Sequence, residues 1–103
     1  MANTRNTLVK GAINKLFGRS GLSKANNKEI RNAADGNHTL KMVYTRKDGK
    51  TKTYYGIEPY EFKGKYFYGY HPAHGQIHSF IKDRIHSAEE TNRSYKPKWD
   101  VKI

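Results

Sequence analysis

The 103-residue chain has no cysteine. That absence excludes disulfide staples, cysteine-ligated zinc and a cysteine nucleophile together, and it suits a reducing compartment. Long hydrophobic runs are also missing, and none approaches the roughly 20 residues of a membrane-spanning helix. Met1-Ala2-Asn3-Thr4-Arg5 is not followed by the apolar stretch of a signal peptide. A cytoplasmic location away from membranes is the expectation. Glycine-rich phosphate loops are absent: neither GxGxxG nor a Walker-type sequence occurs. No cofactor is expected. Acidic residues are scarce, 9 against 20 Lys and Arg, which leaves a formal net charge of +11. Such a surface attracts polyanions by releasing their counterions, and it raises encounter rates with them.

What is present is uneven. Residues 1–34 carry seven basic groups and one acid, residues 35–86 nine and five, and residues 87–103 four and three. The most electropositive part is therefore N-terminal. Aromatic residues make 13% of a chain whose hydrophobic content is only 35%. Much of the tyrosine must serve the core, and the remainder can form stacking surfaces.

The periodicity divides the chain into three. Residues 1–36 read as a basic helical segment. Leu8, Ala12 and Leu16, beside Val9, Ile13 and Phe17, form an apolar stripe at helical period, with Lys10 and Lys15 off it and Gly18 at its end. That first helix is expected to bury Leu8, Ile13, Leu16 and Phe17. A second helix runs from an N-cap at Ser23 to Ala34, with Ile30, Ala33 and Ala34 as its apolar face and Asp35-Gly36 as its stop. From Asn37 the period becomes two. Lys47-Asp48-Gly49-Lys50 and Lys63-Gly64-Lys65 are turns between strands, and Pro59 marks a strand end or an edge. Four or five short consecutive strands over residues 37–90 suggest a small barrel. Residues 91–103 read as an extended arm docked through Tyr95, Trp99, Val101 and Ile103. The expected class is α+β: N-terminal helices, a small SH3-like β-barrel and a C-terminal extended arm.

The matching pieces of Met42–Ile85 are Met42-Val43-Tyr44 before the Lys47-Asp48-Gly49 turn, Ile57-Glu58-Pro59, Gly64-Lys65-Tyr66-Phe67-Tyr68-Gly69-Tyr70, and Gly75 through Phe80 to Asp83-Arg84-Ile85. This stretch resembles a WYL domain, an SH3-like (Sm-like) barrel of bacterial and phage regulators. The Trp of the family's naming tripeptide is Lys65 here, followed by Tyr66 and Phe67. The resemblance implies binding of nucleic acid or a nucleotide through a basic, aromatic face, with Tyr66, His78 and Arg84 in that role.

Candidate binding residues follow from both lines. Tyr66, Tyr68 and Tyr70 alternate on one face of a strand, so they either stack bases or line the core. Arg84 suits a phosphate fork or a structural pair with Asp83. Lys65, Lys82, Lys10 and Lys15 supply further positive charge, and His78 a ligand contact. His71, His74 and His78 lack the cysteine or carboxylate companions that zinc frameworks add, so no metal site is expected. A ribonuclease built from His78, Glu58 or Glu61, and Arg84 is a weaker alternative, because the spacing does not single out that set. The sequence therefore points to a non-enzymatic module for nucleic acid or another phosphate-bearing ligand. The alternative is a protein-interaction module that captures an acidic partner protein.

Overall fold

The computed structural model describes residues 22–103. Lys10, Lys15 and the first expected helix lie outside them. The described chain is one helix followed by five antiparallel strands: α1 (Lys24–Gly36), β1 (His38–Thr45), β2 (Thr51–Lys63), β3 (Tyr66–His71), β4 (Gln76–Ile81) and β5 (Ile85–Ser94). A 3-10 turn, Lys82–Arg84, joins β4 to β5.

The side chain of Ser23 accepts the Asn26 N–H and so caps α1, while Ile30, Ala33 and Ala34 are buried beneath it. The helix stops one residue later than the glycine suggests. Asn37, not Gly36, takes the left-handed conformation, with φ 55°, and its N–H bonds the carbonyls of Ala33 and Ala34. Asparagine tolerates that region because its short side chain can bond locally; here Asn37 Nδ2 donates to the Ala34 carbonyl.

The strands lie in the order β4-β3-β2-β1-β5. β2 is the hinge between two halves. Its first part pairs β1 up to Leu40↔Ile57, and its second part pairs β3 from Glu58↔Tyr70 onward. Pro59 lies at this change of partner, wholly buried, next to a register shift between Pro59 and Glu61. The expectation that Pro59 ends a strand is thus corrected. A bulge lets a central strand carry a residue that cannot donate.

The sheet curls strongly. β1 and β4 are three positions apart in the strand order, yet the Tyr44 and Phe80 rings meet edge-on at 5.0 Å. The backbone N–H of Ile81 donates to the Tyr44 hydroxyl at 2.9 Å. Inside the curl lie Leu40, Met42, Tyr44, Ile57, Phe67, Phe80, Ile85 and Ala88, closed on one side by Ile30 and Ala33 of α1.

Both expected turns are present, with Gly49 at φ 86° and Gly64 at φ 56°. β5 runs four residues into the stretch expected as the arm. The remaining arm docks on β2: the Tyr95 hydroxyl donates to the Pro59 carbonyl, and the backbone N–H of Lys102 donates to the Tyr60 carbonyl.

Candidate functional site

β3 and β4 carry Tyr66, Tyr68, Tyr70 and His78, and their pairing sorts these onto two faces. Phe67↔Phe80 and Gly69↔His78 share the inner face, whereas Tyr66↔Ile81, Tyr68↔Ser79 and Tyr70↔Ile77 share the outer one. Phe67 and Phe80 are buried in the core. The tyrosine row therefore does not line the core. It lies half-buried on the outer face, with Lys65 Nζ 5.5 Å from the Tyr66 ring centroid.

His78 is thus on the opposite face from Tyr66 and Tyr68. It stacks on Phe80, with centroids 5.8 Å apart, at the rim of the core. His71 ends β3 on that same inner face. Pro72 then begins a tight turn: the N–H groups of His74 and Gly75 both donate to the His71 carbonyl, and Gly75 takes φ 67°. The turn folds His74 back over the strand ends. His74 Nδ1 lies 3.2 Å from His71 Nδ1 and 3.3 Å from His78 Nε2. Burial holds the His71 imidazole below its ordinary pKa, and the His74 and His78 rings lower it further. Burial, then His74, does the same to His78.

These three histidines form one wall of a cleft of about 510 Å³. The opposite wall comes from the β1–β2 hairpin and carries Arg46, Lys47 and Lys52, with Tyr44 and Tyr54 at the floor. Tyr54 meets the Phe80 ring at 5.4 Å and the His71 ring at 5.5 Å, which ties the cleft to the core. None of the lining residues is a carboxylate. Arg46 has only a loose pair, 3.8 Å to Asp48.

Lys82 and Arg84 do not join this cleft. They lie in the 3-10 turn, where Lys82 Nζ sits 4.9 Å from the Phe62 ring centroid, a ring that Arg31 of α1 also covers. Nor does the structure assemble the weaker hydrolytic set. His78 lines the basic cleft, Glu58 a second cleft with Tyr95 and Lys98, and Glu61 a third with Tyr68, Ile77 and Trp99. The sequence reading missed Arg46, Lys47, Lys52 and Tyr54 as one group with the histidines. The only available signal was the Asp-Gly turn, which doubles the basic hairpin back on itself.

Family models, curated proteins and solved structures were compared with the chain, and none matches it. Among the described residues, no helix is long and apolar enough to cross a membrane.

Proposed function

We propose that this chain is a non-enzymatic cytoplasmic module that binds a phosphate-bearing ligand, nucleic acid or nucleotide, on a small SH3-like barrel. The observation that carries the reading is the cleft walled by Arg46, Lys47, Lys52, His71, His74 and His78, with no carboxylate in its lining. An anion entering it gains charge-assisted hydrogen bonds and competes with the loose Arg46–Asp48 pair, whose acid lies outside the lining. Arg46 offers a planar fork, Lys47 and Lys52 offer point charges, and Tyr54 offers a ring edge at the floor. The WYL-like stretch Met42–Ile85 supports the same reading, and so does the net charge of +11. Barrel closure is supported by the contact of Tyr44 on β1 with Ile81 on β4.

The outer tyrosines assist at most as a second surface. A ligand seated on His78 reaches Tyr66 only by wrapping over β4, which is the edge strand. Capture of an acidic partner protein is the second reading. It is favoured by the exposed Trp99 and Ile77 beside Tyr68, which offer a protein a larger apolar footing than a phosphate needs.

The test is binding to labelled single- and double-stranded DNA, RNA and mononucleotides over a salt series, with chelator present. An Arg46→Gln/Lys52→Gln double variant should weaken every sequence alike. It should also flatten the salt slope by about 0.7 per lost single-strand phosphate contact. Unchanged affinity and slope in that variant would place the ligand elsewhere. Binding of an acidic protein that nucleic acid does not compete away would favour the second reading.

A further inference from the structure

The three histidines are arranged more closely than a phosphate cleft requires. Their nearest ring nitrogens all fall within 4.8 Å of one another. Two strands and one turn fix them. His71 and His78 are on adjacent strands, with ring centroids 5.3 Å apart, and the Pro72–Gly75 turn returns His74 to them. His78 is braced by Phe80, and His71 by the edge of Tyr54.

Hydrogen bonding does not account for this arrangement. One imidazole nitrogen carries either a single proton or a single lone pair, aimed in one direction. His74 Nδ1 nevertheless has two ring nitrogens at 3.2 and 3.3 Å. It can bond well with one of them and not with both. A metal ion satisfies all three lone pairs at once. Tetrahedral bonds of about 2.0–2.1 Å place ligand nitrogens about 3.3–3.4 Å apart, close to the 3.2 and 3.3 Å of the two His74 pairs, and a small ring rotation brings the third pair, within 4.8 Å, to the same spacing.

We propose that His71, His74 and His78 form a site for one divalent late transition-metal ion of the zinc type, with its remaining coordination position open toward the basic cleft. Three neutral imidazoles suit zinc, nickel or copper and disfavour magnesium and calcium, which require oxygen ligands. Because the ligands are neutral, the ion keeps its full double charge. Arg46, Lys47 and Lys52 repel it, and an anion or hydroxide at the open position offsets that repulsion.

The experiment titrates the full-length, tag-free chain with Zn2+ against a chromophoric chelator, and repeats the titration with Co2+, whose visible d–d bands report tetrahedral coordination. One ion per chain is expected, with a rise in melting temperature. His74 is exposed, so His74→Ala should fold normally, lose at least about tenfold in Zn2+ affinity and lose the Co2+ bands. His86→Ala should bind as the parent does. Lys52→Gln should bind Zn2+ at least as tightly as the parent while losing affinity for phosphate ligands, which separates this site from the proposed function. No stoichiometric Zn2+ binding by the parent would overturn the proposal. So would a folded His74→Ala protein that binds Zn2+ and gives Co2+ bands like the parent.

Discussion

Tyr60 is 4% exposed, and its hydroxyl ties β2 to the C-terminal arm. It donates to the Glu58 carboxylate at 3.0 Å and accepts the backbone N–H of Lys98 at 2.9 Å. Its ring lies edge-on to Tyr95 and Trp99. Burial pushes its pKa up to about 12, and the neighbouring Glu58 carboxylate adds to the rise. Below pH 10 the folded and unfolded hydroxyls are both neutral, and the contribution to stability is complete. Between pH 10 and 12 the unfolded chain loses its proton first, so stability falls as pH rises through that window. The loss is about 3 kcal/mol at most, at about 1.4 kcal/mol per unit. Urea unfolding at pH 9 and pH 11 should show a smaller drop for Tyr60→Phe than for the parent, and equal drops would refute the assignment. Gly69 is fixed by space, not by backbone conformation: a Cβ there would lie 2.6 Å from Ile57 Cγ2. Neither constraint is legible in the sequence, where Tyr60 and Gly69 look like any other tyrosine and strand glycine. Each depends on what the curled sheet brings opposite.

At the scale of elements, α1 does more than cover the core. β5 is an edge strand, and an edge leaves unpaired N–H and C=O groups. The Asn26 side chain donates to the carbonyls of Ile85 and His86 and accepts the Ala88 N–H. One helical turn on, the Glu29 carboxylate accepts the Glu90 N–H at 2.8 Å. Two side chains three residues apart thus take the place of a sixth strand over this part of β5. Asn26→Ala should destabilise the fold by roughly 1–3 kcal/mol, because it leaves part-buried backbone groups without partners. Chemical denaturation would measure the loss, and a change within about 0.5 kcal/mol would show water serving equally well. The element pattern itself was readable. The cap at Ser23, the apolar face of α1, the Asp-Gly turn and the Gly64 turn all depend on neighbours in sequence. Pro59 was misread because its tolerance depends on β2 changing partner, which involves residues far along the chain.

On the scale of the whole molecule, the chain after β5 acts as a strap. The Lys98 ammonium sits 3.4 Å from the Glu58 carboxylate and 4.5 Å from the Tyr70 ring centroid. The Trp99 ring meets Tyr60 and Tyr70 at 5.3 and 5.7 Å, although 52% of the residue remains exposed. Ile103 packs against the core cluster. Removing residues 95–103 should lower the melting temperature by several degrees, since a loss of about 1 kcal/mol shifts a domain of this size by roughly 4–8 °C. A melting temperature equal to the parent's would mean that these contacts contribute nothing net.

The sequence by itself determined the α+β composition, the basic charge, the lack of cysteine chemistry and the turns, because each depends on residue type or on near neighbours. It also showed that tyrosines alternate along β3, but period alone does not say which face is inside. Only the tertiary structure decided that Phe67 and Gly69 turn inward, since the side that meets Phe80 and Ile57 is the side that is buried. The same curl separated Tyr66 from His78. It set the basic β1–β2 hairpin across from the β3–β4 turn, and it drew His71, His74 and His78 together from two strands and a turn. Such a cluster is a matter of strand register and curvature, which come from packing across the whole core.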